Sequence, residues 1–107
     1  MIFKELRIRG SFIIEPEPYI DERGVFRRSF CEKEFKDHSL TNNVSQSNIS
    51  ENLYKNTLRG FHYQIAPYSE AKTMMCITGA VHDIVVDLRP DSPTYLEWES
   101  VELNSNN

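Results

Sequence analysis

The chain has 107 residues, of which 39% are apolar and 11% aromatic, so it can bury a core and is not a disordered segment. Its formal net charge of -4 argues against a nucleic-acid-binding protein, because such domains usually carry a basic surface. No apolar run approaches the ~18 residues of a membrane span, and the first ten residues lack the apolar stretch of a signal peptide. The expected location is the cytoplasm, where Cys31 and Cys76 are two ordinary reduced thiols.

Short strand-like runs separated by turn signals dominate the first part of the chain. Ser11–Glu15 is predicted as a strand that ends at a proline. A turn at Asp21–Gly24 precedes a second strand over Val25–Phe30, whose side chains alternate between two faces. Glu32–His38 is the only predicted helix.

The remainder of the chain is predicted to be strands as well. Five further strands are expected in chain order, at Asn42–Glu51, Leu58–Gln64, Lys72–Thr78, Val81–Leu88 and Thr94–Leu103. The third and fourth of these form the clearest hairpin, because Gly79-Ala80 supplies a turn between them. A second turn at Arg89–Pro93 precedes the last strand.

This pattern of six or seven strands with one short helix indicates an all-β protein, and a cupin-type jelly roll or β-barrel is the class it favours. No repeat or linker divides the chain, so one domain is expected over residues 1–107. The last strand runs into the polar residues 104–107 and has no strand after it to pair with. Either the chain is a shortened, truncated version of a larger barrel or another chain covers that edge.

Several short motifs occur in a fixed order between about residue 10 and residue 103. They are Asp21-Glu22-Arg23-Gly24-Val25-Phe26 (D-x-R-G-x-F), Gln46-Ser47-Asn48-Ile49-Ser50 (Q-x-N-x-S), Arg59-Gly60-Phe61-His62-Tyr63-Gln64 (R-G-x-H-x-Q), Ala71-Lys72, Val85-Val86-Asp87-Leu88-Arg89 and Ser92-Pro93-Thr94. Each motif alone is weak, but the ordered set is specific. On this set the chain resembles the dTDP-4-dehydrorhamnose 3,5-epimerase family of sugar-nucleotide epimerases, which have the cupin fold.

The resemblance implies a cofactor-free isomerase that acts on a 4-keto-6-deoxyhexose attached to dTDP, in rhamnose or other deoxysugar biosynthesis. Such an enzyme removes a proton next to the C4 ketone, at C3 or C5, and returns one to the opposite face. The reaction needs a base with a pKa near the working pH and a cation at the developing enolate oxygen. His62 fits the base, because an imidazole titrates near neutrality, and Lys72 fits the cation.

The resemblance also implies a set of substrate-binding residues. Arg59 suits the diphosphate, because its planar fork can bind two oxygens at once, and Gln46 and Asn48 offer neutral donors and acceptors. By analogy with the family, Arg23 touches phosphate and Phe26 stacks near the thymine, both in the neighbouring subunit's site. The expected partners are therefore a dTDP-sugar and a second copy of the chain, in a homodimer that exchanges N-terminal strands.

Several of these residues have an ordinary structural alternative. Arg23 could be a turn arginine paired with Asp21, and Lys72 could be a surface lysine on a hairpin. If the strand face of Lys72 is buried instead, a nearby acid or a bound anion must compensate its charge. His82 is expected to be a core histidine, because it alternates onto an apolar strand face. Asp83 either lines the barrel or anchors an arginine.

No metal is expected, because metal-binding cupins use an H-x-H pair and here Gln64 follows His62 at that spacing. The chain departs from many family members at Arg28, where they carry Glu. The family also has a second segment that supplies a general-acid Tyr and an Asp paired with the catalytic His, and neither lies within residues 1–107. Two alternatives to the epimerase therefore stay open, namely a sugar-nucleotide 3,4-ketoisomerase and a non-catalytic cupin that binds a sugar nucleotide.

Overall fold

A computed structural model describes all of residues 1–107. It contains six strands and one helix, in the order β1 (Ile2–Glu5), β2 (Phe12–Glu15), β3 (Tyr19–Asp21), β4 (Gly24–Phe26), α1 (Glu32–Asp37), β5 (Ala80–Val86) and β6 (Trp98–Asn104). Each strand pairs antiparallel with its neighbour in sequence, so the chain has three two-stranded sheets. The predicted all-β class with one short helix is confirmed, and no helix is long and apolar enough to cross a membrane.

The N-terminal sheet and the helix meet at the largest fully buried side chain of the molecule. Phe35 of α1 is 2% exposed, and its ring meets Phe3 of β1 at a centroid distance of 5.6 Å and Phe30 at 4.8 Å. Glu32 and Glu34 occupy the first helical turn, where the helix dipole favours negative charge. The aromatic contacts hold the helix on the sheet and fix the segment that follows β4.

The β3–β4 hairpin turns sharply between Asp21 and Gly24, which are paired across the two strands. Gly24 has a φ of +124°, a conformation that a residue with a Cβ rarely adopts. The carboxylate of Asp21 accepts a hydrogen bond from the backbone N–H of Arg23 at 2.9 Å, as is common in tight turns. The turn is as predicted, but β4 ends at Phe26, four residues before the predicted end of its strand.

Strands β5 and β6 form the longest ladder, with seven paired positions. The connection between them is organised by Asp87, which is 3% exposed. Its carboxylate accepts hydrogen bonds from Arg89 Nε at 2.8 Å, from Ser92 Oγ at 2.6 Å and from Thr94 Oγ1 at 2.7 Å. These bonds, those from Arg89 first, lower the pKa of Asp87 below its ordinary value, so the buried group is a carboxylate.

Glu99 of β6 connects the N-terminal sheet to the C-terminal one. Its two carboxylate oxygens accept hydrogen bonds from the backbone N–H groups of Arg7 at 3.2 Å and Ile8 at 2.9 Å. The guanidinium of Arg7 also pairs with Glu97. The loop between β1 and β2 is therefore bound to the start of β6 by hydrogen bonds and an ion pair. Ile8 of this loop is one of the few buried residues.

Three predicted strands are not formed as paired strands. Asn42–Glu51, Leu58–Gln64 and Lys72–Thr78 lie in the stretch 39–79, which contains no assigned strand. The predicted hairpin through Gly79-Ala80 is also wrong, because β5 pairs with β6 and not with the segment before it. The physical reason is that a strand requires a hydrogen-bonded neighbour, and this stretch has none within the chain. Conversely, β1 was not predicted. The last strand, β6, has a partner within the chain, because it pairs with β5.

The molecule leaves most of its side chains uncovered. Only Ile8, Phe35, Cys76 and Asp87 are buried, and the radius of gyration is 15.3 Å against about 13 Å for a compact domain of this length. The predicted core position of His82 is wrong, because this residue is exposed. The face of β5 on which it lies has nothing packed over it.

Candidate substrate site

The predicted site residues fall into two regions of the structure. His62, Lys72, Arg59, Gln46 and Asn48 all lie in the stretch 39–79, and every one of them is exposed. The other two belong to the β3–β4 hairpin, Arg23 in its turn and Phe26 at its end. The chain therefore presents a group of polar and basic side chains on its uncovered stretch and a separate arginine and aromatic ring on an N-terminal arm.

One hydrogen bond joins two of the predicted site motifs. Arg59 Nη1 donates to Ser50 Oγ at 2.8 Å, which links the start of the R-G-x-H-x-Q motif to the end of the Q-x-N-x-S motif. An arginine has five N–H donors in a planar fork, so most of the guanidinium stays available to an anion. Ser50 was not predicted as a site residue, although it is the last residue of the motif that contains Gln46 and Asn48.

The backbone at Gly60 lies against the predicted base. A Cβ built on Gly60 would lie 3.6 Å from the backbone nitrogen of His62 and 3.8 Å from its ring Nδ1. Gly60 also has a φ of +114°, a region that L side chains rarely adopt. The glycine of the R-G-x-H-x-Q motif thus allows the chain to turn between Arg59 and His62.

Lys72 is exposed, as its structural alternative of a surface lysine requires, and it lies close to an acid. Its Nζ lies 3.0 Å from Glu70 Oε1, and the lysine side chain is 45% exposed. This ion pair joins the ammonium to a carboxylate of its own segment. An exposed pair of this kind contributes little to stability, so a ligand oxygen can compete with Glu70 for the ammonium.

The arm formed by β3 and β4 carries an aromatic pair beside an arginine. Phe26 and Tyr19 are directly opposite each other in the hairpin and are 75% and 65% exposed. Arg23 Nη2 lies 2.6 Å from Asp21 Oδ2, which is the turn pairing that stood as its structural alternative. The hydrogen bond between them raises the pKa of Arg23 and lowers the pKa of Asp21.

Arg28, the position at which many family members have Glu, takes part in a charge cluster on the helix. Its Nη1 donates to Glu34 Oε1 at 2.7 Å, and the α-ammonium of Met1 donates to the other oxygen at 2.7 Å. Hydrogen bonds from Met1 and then Arg28 lower the pKa of Glu34 to about 2. The arginine therefore has an intramolecular acid as its partner at the base of the arm.

Asp83 had two predicted roles, lining a barrel or anchoring an arginine. It is half-buried, and the carboxylate that binds an arginine is that of Asp87, directly after β5, which pairs with Arg89. The signal in the sequence was the run Asp87-Leu88-Arg89 followed by Ser92 and Thr94. No group of three or more His, Cys, Asp or Glu side chains is placed to hold a metal ion.

Comparison with known proteins places these residues in a family context. The model of the family described as dTDP-4-dehydrorhamnose 3,5-epimerase matches residues 5–107. A dTDP-4-dehydrorhamnose 3,5-epimerase of Shigella flexneri is 41% identical over 102 residues, which are 94% of this chain and 55% of that protein. One of Sinorhizobium fredii is 37% identical over 107 residues, which are 100% of this chain and 55% of that protein. The chain thus spans about half the length of the curated relatives it matches.

Solved structures are similar to the whole chain. A crystal structure of a dTDP-4-dehydrorhamnose 3,5-epimerase from Bacillus anthracis, with TDP and PPi bound, has a TM-score of 0.94 and is 32% identical. The match covers 99% of this chain and 61% of that one. The epimerase of Mycobacterium tuberculosis has a TM-score of 0.92 at 36% identity, and the match covers 98% of this chain and 52% of that one. The predicted cupin-type jelly roll is confirmed, and this chain forms part of it.

Proposed function

The chain belongs to the dTDP-4-dehydrorhamnose 3,5-epimerase family, and from this premise we propose that it forms part of an isomerase that epimerises C3 and C5 of a dTDP-4-keto-6-deoxyhexose. The observation that carries the proposal is the family match over residues 5–107, which includes every predicted site residue. The Bacillus anthracis relative was solved with TDP and PPi bound, which supports a nucleotide diphosphate as the ligand class. Residues 1–107 then make up the N-terminal part of one cupin-like domain.

In this proposal His62 and Lys72 divide the chemistry of proton abstraction. A neutral imidazole of His62 takes the proton from the carbon next to the ketone, and the electron pair of that C–H bond delocalises onto the ketone oxygen. The ammonium of Lys72 stabilises the enolate oxygen, because a fixed cation is most effective where negative charge develops. In the free chain this ammonium pairs with Glu70 at 3.0 Å, and the substrate oxygen replaces that carboxylate on binding. No cofactor takes part.

The proton is returned to the opposite face by a group from outside residues 1–107. The family resemblance assigns that role to a Tyr, and the partner of the catalytic His to an Asp, in the second segment of the family fold. The tyrosines of this chain do not occupy that family position, namely Tyr19, Tyr54, Tyr63, Tyr68 and Tyr95. The chain therefore carries the base and the enolate cation, and the complete reaction needs both parts of the fold.

The remaining site residues bind substrate in this proposal. Arg59 binds the diphosphate with the donors that its hydrogen bond to Ser50 leaves available, and Gln46 and Asn48 bind the sugar and the base. The β3–β4 arm reaches the site of a second copy in a homodimer, where Arg23 meets phosphate and Phe26 stacks near thymine. The exposure of Phe26, at 75%, supports a role for that ring in contact with a ligand or partner.

Deuterium wash-in tests the proposal. The chain is incubated in D₂O with the dTDP-4-keto-6-deoxyhexose, alone and together with the C-terminal part of the Shigella flexneri relative, and the sugar is followed by NMR. Exchange at both C3 and C5 supports the 3,5-epimerase, and exchange at C3 alone indicates a 3,4-ketoisomerase or a 3-epimerase. Absence of exchange together with dTDP binding would leave the non-catalytic sugar-nucleotide-binding cupin.

Two histidine variants provide a matched comparison for the role of the base. His62→Ala is expected to abolish exchange while dTDP affinity stays nearly unchanged, because the imidazole acts on the sugar and not on the nucleotide. His82→Ala removes another exposed imidazole, on β5, and is expected to leave exchange intact. Persistent exchange in His62→Ala would assign the base to another residue.

A further inference from the structure

Both ends of the β3–β4 arm meet at one carboxylate, that of Glu34 on α1. After β4, Arg28 Nη1 donates to Glu34 Oε1 at 2.7 Å. Before β3, Glu17 Oε2 accepts a hydrogen bond from the α-ammonium of Met1 at 2.7 Å, and this ammonium also donates to Glu34 Oε2 at 2.7 Å. These charged groups form one cluster that joins the two flanks of the arm to the helix.

The two flanks of the arm differ in how firmly the backbone itself directs the hairpin. Pro16 and Pro18 precede β3, and each fixes its own φ and restricts the residue before it. The flank after β4, residues 27–31, contains no proline and belongs to no strand or helix. A contact with a preferred direction is therefore most effective there. The ion pair of Arg28 with Glu34 is such a contact, because a hydrogen bond is directional and apolar packing is not.

The environment of this ion pair favours a directing role over a stabilising one. The side chain of Arg28 is 61% exposed and that of Glu34 is 25% exposed, and exposed ion pairs contribute little to stability. The two oxygens of Glu34 each bind a different cation, so the orientation of the carboxylate is fixed. A glutamate at position 28, as in many family members, would place a second carboxylate against Glu34. Arg28 and Glu34 are thus matched to each other in this chain.

The charge cluster adjoins the ring that is proposed to stack near a nucleobase. A cavity of about 230 Å³ lies beside both and is lined by Met1, Glu17, Tyr19, Phe26, Arg27 and Arg28. Phe26 ends β4, and Arg28 follows it by two residues, so a change in the direction of this flank moves the ring of Phe26. Arg23 lies further out, in the turn of the same hairpin, and moves with it.

We propose that Arg28 is a positioning residue, which fixes the direction of the β3–β4 arm through its ion pair with Glu34. It thereby sets where Arg23 and Phe26 meet a ligand, although it touches no ligand itself. The roles of Arg23 and Phe26 toward a ligand rest on the proposed function, whereas the direction of the arm does not.

Residual dipolar couplings of the backbone N–H groups measure the direction of the arm without a ligand. In the 107-residue chain, the couplings of β3, β4 and α1 are expected to fit one common alignment tensor. In Arg28→Gln and in Glu34→Gln this common fit should be lost, because the arm then samples several directions. Lys33→Gln is the matched control. It removes an ion pair of the same helix, with Asp37 at 3.0 Å, and should leave the common fit intact.

Calorimetry of dTDP binding tests the consequence for the site, in the mixture with the C-terminal part of the Shigella flexneri relative. Arg28→Gln and Glu34→Gln should each weaken binding by about three- to tenfold, the effect of one hydrogen bond between charged groups. The double variant should bind no more weakly than either single variant, because both changes remove the same contact. If Arg28 bound the ligand directly, the two losses would add.

Five results would overturn the proposal. The first three concern direction, namely a wild-type arm that does not share the alignment of α1, an arm that keeps this alignment in Arg28→Gln, and an equal loss in Lys33→Gln. The other two are additive losses of dTDP affinity in the double variant and a redirected arm with unchanged affinity. An aligned wild-type arm in a chain that binds no dTDP would contradict the proposed function and confirm that the arm has a fixed direction.

Discussion

Replacement of Phe35 by alanine is the sharpest test of how the N-terminal part of the chain is held together. Phe35 is the largest fully buried side chain, and it contacts Phe3 of β1 and Phe30 beyond β4 at centroid distances of 5.6 and 4.8 Å. Its removal detaches α1 from the sheet and frees the segment that supports the β3–β4 arm.

The expected loss of stability is large compared with what the chain has. A buried phenylalanine covers roughly 150–250 Å², which corresponds to about 4–6 kcal/mol at about 25 cal/mol per Å², and truncation of a buried phenylalanine to alanine costs about 3–5 kcal/mol. Whole domains are stable by about 5–15 kcal/mol, and only three other residues of this chain are buried. We therefore expect Phe35→Ala to unfold α1 and the β1–β2 sheet at ambient temperature.

Urea unfolding followed by far-UV circular dichroism measures this effect. Phe61→Ala is the matched control, because the same change at a side chain that is 71% exposed should alter the free energy of unfolding by no more than about 0.5 kcal/mol. The reasoning would be refuted by equal unfolding midpoints for Phe35→Ala and the wild type. It would also be refuted if both variants lost the same stability.

Three further changes test other contacts. In the folded chain the pKa of Asp87 lies below its ordinary value of 3.8. The carboxylate therefore stabilises the fold fully above pH 3.8, and this stabilisation is lost as the pH falls below that value. Asp87→Asn should lower the melting temperature near neutral pH and make the melting temperature less dependent on acid pH. Glu99→Gln should speed amide exchange at the two residues its carboxylate binds, whereas Glu102→Gln on the same strand should not. Ser50→Ala removes an exposed hydrogen bond to the guanidinium of Arg59, worth about 0.5–1 kcal/mol. It should therefore weaken dTDP binding, measured by calorimetry, by about two- to fivefold. If binding is not weakened, or is weakened equally by Ser47→Ala, Ser50 does not position Arg59 for the ligand.

Local signals in the sequence were sufficient for the turns and the helix. The tight turn at Asp21–Gly24 follows from a glycine with positive φ and a side-chain acceptor, both of which act within four residues. The helix boundary agrees to one residue, since Glu32–Asp37 was predicted as Glu32–His38. Such features depend on neighbours in the chain and can be inferred from them.

Strand pairing could not be inferred in the same way. Period-two alternation at Asn42–Glu51 and Leu58–Gln64 indicates an extended chain, but a paired strand also depends on which other segment is present to bond with it. The same limitation produced the wrong hairpin at Gly79-Ala80, because β5 bonds with β6 across an eleven-residue connection. The predicted core position of His82 was wrong for a related reason, because no other element packs on its face of β5.

The candidate site was predictable as a set of residues and not as an arrangement. The motif order identified the family and the residues expected to act, from Arg23 to Lys72. The contacts of Arg59 with Ser50 and of Lys72 with Glu70 were not predicted, because they depend on side-chain positions that the motifs do not specify. Asp87, whose carboxylate organises the β5–β6 connection, lies within one of the motifs. Its role in binding the side chains of that connection was not predicted.

The pairing of each strand with its nearest neighbour in sequence has a consequence for how this chain folds. Every sheet is a hairpin, and isolated hairpins form in about 1–10 μs. Formation of the ladders thus requires only the closure of short loops, which is rapid and costs little entropy. We therefore expect the three ladders to form before the contacts of Phe3 with Phe35 and of Ile8 with Glu99, which join residues far apart in the chain.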